Sequence, residues 1–208
     1  MAEIAAQLFT PDIINDALTY HEYRSLIDEL LENNQVTGEK QSQGLVEYTE
    51  MNVHRMNRLD KRTELNDSLK EALKGIDNNM IWMVLTEGWC GDAAQNLPVI
   101  NKMAEESPKI ELRFILRHEH EEIMDEYETD GARSIPKLVA LDAESLEELG
   151  SWGPRPEEAQ RLVYKEWIDN YPRKEWAEKL HKWYADSKTQ DLQEEFEELI
   201  SQWDLKGG

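Results

Sequence analysis

A continuous apolar run at Met80–Thr86 (MIWMVLT) constrains the fold of this chain more than any other stretch. Seven residues without polar alternation are typical of a strand that is buried on both faces, as in a sheet covered by helices. Further strands are predicted at Ile110–Leu116, 136–142 and 146–149, and helical spacing fills residues 93–107. This alternation predicts an α/β fold, in which the later strands are antiparallel because their connection is short.

Helical patterns flank this core on both sides. A helix is predicted over 10–31, a loop over 34–44, a helix over 63–73, and mostly helix over 156–203. Aromatic residues at helical spacing favour packing, and we expect Trp167, Trp176 and Trp183 to seat the terminal helices on the core. We divide the chain into an N-terminal helical extension (1–78), an α/β core (79–154) and C-terminal helices (155–208), which together form one globular unit.

The charge of the chain excludes two classes of partner. It has 23 Lys and Arg against 44 Asp and Glu, a net charge of −21. Phosphate backbones and anionic bilayers would be repelled, so we expect neither nucleic-acid nor membrane binding. The first residues (MAEIAAQLF) lack the basic and apolar regions of a signal peptide, and we expect a cytoplasmic protein. No particular oligomeric state is predicted.

The single cysteine, Cys90, follows the first strand and begins a helix. The free N–H groups and the dipole of a helix N-terminus stabilise a thiolate, so we expect a nucleophilic thiol that solvent can reach. Gly91 lets the backbone turn closely, and Trp89 can shield one side of the sulfur. The Asp92 carboxylate acts in the opposite direction, because it raises the thiol pKa. The alternative is a small, inert, buried side chain.

Two short motifs resemble those of the thioredoxin superfamily. Residues 89–92 (WCGD) match its Trp-Cys-Gly-Pro-Cys turn, residues 133–136 (RSIP) its Ile-Pro segment, and residues 150–153 its glycine-rich turn. The chain is most similar to a bacterial thioredoxin-like family with a Trp-Cys-Gly-Asp motif and extra N-terminal helices. The resemblance implies a three-layer sandwich around a mixed sheet. It also implies that Pro136 is cis and faces the sulfur, and that Ile135 pairs with a bound peptide.

Three positions depart from the superfamily pattern. Ala93 stands where the resolving cysteine belongs, Asp92 replaces a proline, and Val84 replaces a frequent buried aspartate. Cys90 could therefore form a mixed disulfide, whereas its release would need an outside thiol. This favours a monothiol exchange protein with protein thiol or disulfide targets and no cofactor, unless a low-molecular-weight thiol serves as co-substrate. The alternative is a non-catalytic adaptor that binds a protein partner through the cis-proline groove.

Two other clusters of polar residues receive simpler interpretations. His118 and His120 are two residues apart, which places them on different faces of a helix, so we predict a solvated face and no metal site. Residues 54–62 contain the concentrated basic segment of the chain, formed by His54, Arg55, Arg58 and Arg62. We expect these four to make salt bridges to the acidic surface; the alternative is that they bring positive charge to Cys90 or to an anionic thiol ligand.

Overall fold

The computed structural model describes residues 2–207 and contains a four-stranded mixed sheet flanked by helices. The strands are β1 (Met80–Thr86), β2 (Ile110–Leu116), β3 (Lys137–Asp142) and β4 (Glu148–Trp152), in the spatial order β2-β1-β3-β4. β1 is parallel to β2, β3 is antiparallel to β1, and β4 is antiparallel to β3. The α/β fold class and the antiparallel later strands are confirmed.

The helices precede, connect and follow these strands. Before β1 lie α1 (Ala2–Leu8), α2 (Pro11–Asp16), α3 (Tyr20–Glu32), α4 (Gln43–Arg62) and α5 (Asp67–Lys74). α6 (Gly91–Glu106) connects β1 to β2, and α7 (Glu121–Glu126) lies between β2 and β3. After β4 come α8 (Glu157–Leu162), a π-helical turn (Val163–Trp167), α9 (Arg173–Ser187) and α10 (Gln190–Lys206). Within 2–207, every helix is too short or too polar to cross a membrane.

The single helix predicted over 10–31 is wrong, because the chain breaks at residues 17–19. The Leu18 backbone donates to and accepts from Phe114 at 2.9 and 2.8 Å, which adds a bridge at the edge of β2. Thr19 then starts α3 with a capping box, since its hydroxyl accepts from the Glu22 N–H and its own N–H donates to the Glu22 carboxylate. The bridge and the cap outweigh the continuous apolar pattern.

The fourth strand begins two residues later than predicted. Asp142 accepts hydrogen bonds from the N–H groups of Glu144 and Ser145 at 3.0 and 2.7 Å, and Leu146 adopts a left-handed φ of 60°. These features form a tight turn that occupies the start of the predicted strand, so β4 runs over Glu148–Trp152.

The core lies on both faces of the sheet and includes α10. The Trp82 ring of β1 makes edge-to-face contacts with Phe196 and Trp203, with ring centroids 5.5 and 5.8 Å apart. The expectation that Trp167, Trp176 and Trp183 reach this core is wrong. They pack around a second, smaller cluster formed by Ala159, Val163 and Leu180. The segment from α8 to α9 thus has an apolar centre of its own.

Candidate functional site

Cys90 is the residue at which β1, after a short turn, leads into α6. Its Sγ accepts a hydrogen bond from the Ala93 N–H at 3.4 Å, so the sulfur caps the helix. Its thiol donates to the Ile135 carbonyl at 3.2 Å. The Ile135–Pro136 peptide bond is cis and immediately precedes β3. The fold therefore brings the two motifs together, although 45 residues separate them in the chain.

The sulfur of Cys90 is shielded from solvent. The residue is only 7% exposed, and both Ile135 and Pro136 are also buried. Burial, followed by the Asp92 carboxylate, raises the pKa of the Cys90 thiol to about 12. The N–H groups of the helix N-terminus and the Arg155 guanidinium favour the thiolate but do not compensate. The expectation of a thiol that solvent can reach is wrong for this conformation, because other parts of the chain cover the sulfur.

Two side chains from distant helices cover the turn at Gly91. A Cβ atom at this position would lie 2.5 Å from the Tyr48 hydroxyl and 3.3 Å from Cε1 of His181. Tyr48 belongs to α4 and His181 to α9, and their Oη and Nε2 atoms form a hydrogen bond of 3.1 Å. Gly91 is thus required because there is no room for a side chain.

Asp92 joins the turn to the C-terminal helices through two strong hydrogen bonds. Its Oδ2 accepts from Arg155 at 2.6 Å, and its Oδ1 accepts from the Tyr184 hydroxyl at 2.7 Å. The Asn96 amide also donates to that hydroxyl, at 3.1 Å. We call the four residues Tyr48, Arg155, His181 and Tyr184 the polar cover. Nothing in the sequence pairs these residues with Cys90, so none of the four could be predicted as part of the site.

A buried carboxylate, Glu87, lies three residues before the cysteine. It is 0% exposed, and its Oε1 accepts from the His118 N–H at 3.0 Å and lies 2.9 Å from His118 Nδ1. The prediction of a solvated face is therefore wrong for His118. Within residues 2–207, no group of three or more His, Cys, Asp and Glu side chains could hold a metal ion. An acidic residue directly after a buried strand was the signal that could have identified Glu87.

Trp89 closes the other side of the turn and is half-buried. Its indole N–H donates to the Thr37 carbonyl at 3.1 Å, and the Arg117 guanidinium lies over its ring at 5.0 Å from the centroid. Trp89 is thereby fixed between the loop that precedes α4 and the end of β2.

The basic segment 54–62 does not make the expected salt bridges. In the part of the chain that the structure describes, no carboxylate pairs with His54, Arg55, Arg58 or Arg62. Arg55 lies over the ring of Tyr48 and donates to Asn52 at 2.7 Å. Arg58 and Arg62 line a cavity instead, because the C-terminal half of α4 lies opposite the junction of α9 and α10.

The polar cover is expected to weaken in acid, because His181 is held neutral. Burial and the Arg55 guanidinium lower its pKa from 6.5 to about 4, although Asp92 acts in the opposite direction. Between these pH values the unfolded chain binds a proton that the folded chain does not. Stability is therefore lost as pH falls from 6.5 to 4, by about 1–2 kcal/mol for this partly exposed ring.

Urea denaturation of wild type and His181→Gln at pH 7 and pH 4.5 measures this loss. The variant should lose less stability between the two pH values than wild type does. Replacement of the exposed His54 by glutamine serves as the control and should leave the wild-type difference intact. An equal loss in wild type and His181→Gln would contradict a buried neutral His181.

Comparisons with known proteins show what the chain resembles. A family model described as Thioredoxin matches residues 38–174, more than half of the chain. A crystal structure of a protein of unknown function from Pseudomonas aeruginosa aligns with a TM-score of 0.54 at 19% identity, covering 88% of this chain and 98% of that one. A crystal structure of an HIV epitope-scaffold gives 0.49 at 18% identity, covering 92% and 99%. No curated protein matches significantly.

Proposed function

The chain belongs to the thioredoxin family, and on this premise we propose that it is a monothiol exchange protein in which Cys90 forms a mixed disulfide with its target. One observation carries the proposal. The Cys90 sulfur sits at the N-terminus of α6 and 3.2 Å from the carbonyl of Ile135, directly before the cis bond to Pro136. A target that pairs with the backbone at Ile135 would present its disulfide to this sulfur.

The exchange transfers no electrons to any outside acceptor. The Cys90 thiol loses its proton to solvent, and the thiolate attacks one sulfur of a target disulfide. The target S–S bond breaks, a bond forms between Cys90 and that sulfur, and the other target sulfur leaves as a thiolate that takes up a proton. The target class is therefore a protein disulfide or a small-molecule disulfide.

Release of the target requires a second molecule. The chain has one cysteine, and Ala93 occupies the position from which a neighbouring thiol would attack the mixed disulfide. In well-oriented systems an intramolecular group reacts at an effective concentration that can reach about 10⁵ M. This chain lacks that advantage because it has no second thiol. An outside thiol must attack the mixed disulfide, which restores the Cys90 thiol. The covalent complex is consequently long-lived.

The reaction needs the polar cover to move away from the turn at Gly91 and Asp92, next to Cys90. At a pKa of about 12, only about 10⁻⁵ of the thiol is ionised at pH 7. The cover is held by hydrogen bonds and one ion pair. Asp92 binds Arg155 and Tyr184, and Tyr48 binds His181. Water can replace hydrogen bonds of this kind when the cover opens. Opening would expose the sulfur and lower its pKa, because burial is the largest cause of the shift.

A non-catalytic adaptor is the second candidate, and the burial of the sulfur favours it. Cys90 is 7% exposed, and its raised pKa suppresses nucleophilic attack in this conformation. Ile135 and Pro136 are also buried, so an adaptor that used this groove would need part of the chain to move away from them. The two candidates differ in whether the complex with the target is covalent.

Intact mass spectrometry after incubation with oxidised glutathione at pH 8 tests the proposal. We expect one glutathione adduct per wild-type chain, none on Cys90→Ser, and full reversal by dithiothreitol. Protein isolated from cells under thiol-trapping conditions should carry a thiol adduct at the same residue. If the folded protein stays unmodified while the urea-unfolded chain reacts completely, monothiol exchange is ruled out. Equal retention of cellular partners by wild type and Cys90→Ser would then identify the adaptor.

A further inference from the structure

A cavity of about 480 Å³ lies among α4, α6, α9 and α10, and Cys90 is not part of its wall. Its volume is within the range of sites that hold small organic molecules. The cavity shares Asn96 and Tyr184 with the hydrogen-bond network of Asp92, so it adjoins the polar cover. The proposed exchange reaction does not use this space.

Positive charge is concentrated on the cavity wall. Arg58 and Arg62 are one helical turn apart on the same face of α4, and Lys188 lies in the left-handed link between α9 and α10. Within the described residues, no carboxylate pairs with any of the three. One acidic residue, Glu64, lies on the wall. In a chain with a net charge of −21, this cluster of unpaired cations attracts anions to one place.

Polar groups with little exposure to solvent lie on the same wall. Gln95 lines the cavity and is 6% exposed. The Thr63 hydroxyl, also on the wall, is buried and has no partner in the described part of the chain. Buried polar groups in native proteins are nearly always hydrogen-bonded. A ligand with oxygen acceptors would satisfy the Thr63 hydroxyl and would also accept from the Gln95 amide.

We propose that this cavity binds a small organic dianion, whose oxygens contact Arg58, Arg62 and Lys188. The guanidinium groups match the geometry of phosphate and carboxylate oxygens. Three cations against one carboxylate leave a charge that a dianion neutralises. The cavity volume has room for an organic part of the ligand beside its charged group. Leu192 and the half-buried Trp183 supply an apolar wall for that part.

Isothermal titration calorimetry with phenyl phosphate and with succinate tests the site and separates phosphate from carboxylate recognition. We expect saturable binding of at least one of them, weakened by added sodium chloride because the contacts are ionic. Benzyl alcohol, a neutral analogue, should not bind measurably. Arg58→Gln and Arg62→Gln should each weaken binding by about tenfold or more, as expected for a hydrogen bond to a charged group.

Lys61→Gln is the matched control, since Lys61 is an exposed cation of the same helix that does not line the cavity. It should leave the affinity within about twofold of wild type, because exposed charges at a distance contribute little. Gln95→Leu should weaken binding while Lys61→Gln does not. The site is refuted if neither dianion binds at concentrations of about 10 mM. It is also refuted if Lys61→Gln weakens binding as much as Arg58→Gln does. Glutathione adduct formation at Cys90 is measured separately, so failure here leaves the exchange proposal standing.

Discussion

Replacing Asp92 with asparagine is expected to accelerate alkylation of Cys90 by iodoacetamide at pH 8 by at least about tenfold. The Asp92 carboxylate is the second-largest cause of the raised thiol pKa, and it also anchors Arg155 and Tyr184 of the polar cover. The asparagine removes the negative charge and weakens both anchors. A lower pKa and a looser cover each increase the reactive thiolate. The rate is measured by intact mass spectrometry on samples quenched over time.

Asp169→Asn supplies the matched control, because Asp169 is an exposed aspartate in the C-terminal segment. It should alkylate at the wild-type rate, and Cys90→Ser should remain unmodified. Circular dichroism of Asp92→Asn should match that of wild type, which separates opening of the cover from unfolding. If folded Asp92→Asn reacts no faster than Asp169→Asn, Asp92 does not control access to the sulfur.

Arg155→Met is expected to lower the free energy of unfolding by about 3–5 kcal/mol. The Arg155 and Asp92 side chains are 11% and 12% exposed, and the guanidinium donates to Asp92 at 2.6 Å and to Gln160 at 2.9 Å. Methionine has a similar length but no charge, so it leaves a largely buried carboxylate without its cation. Urea denaturation followed by tryptophan fluorescence measures the change.

Arg161→Met is the control for the loss of an exposed arginine. Arg161 pairs with Glu158 and Glu166 on the surface, so its replacement should change stability by no more than about 0.5 kcal/mol. Asp92→Asn combined with Arg155→Met should cost less than the sum of the two single changes, because neither partner is then left charged and alone. Additive costs, or equal costs for Arg155→Met and Arg161→Met, would show that the pair is not coupled.

The sheet could be predicted because its strands have strong local signals. Met80–Thr86 is a continuous apolar run that is buried throughout, and Ile110–Leu116 is an apolar stretch with interleaved polar residues; both strands have the predicted bounds. The break before α3 could not be predicted from the apolar pattern. It depends on the bridge between Leu18 and Phe114, two residues that lie far apart in the chain.

The candidate site also has one part that could be predicted from the sequence and one part that could not. The turn at Cys90 and the motif at Ile135–Pro136 are visible in the sequence, and the fold brings them into hydrogen-bond contact. The polar cover is not visible, because His181 and Tyr184 lie about ninety residues further along the chain than the turn that they cover. Their helix has an ordinary amphipathic pattern, and no local rule states which surface it packs against.

The sequence by itself determined the order of the four strands, the placement of Cys90 at a helix N-terminus, and the absence of a second thiol. These properties depend on neighbouring residues. Only the tertiary structure decided that the sulfur is buried and its pKa raised, because desolvation depends on every group packed around an atom. The local effect of the helix N-terminus favours the thiolate, but burial of the sulfur in the folded chain outweighs it.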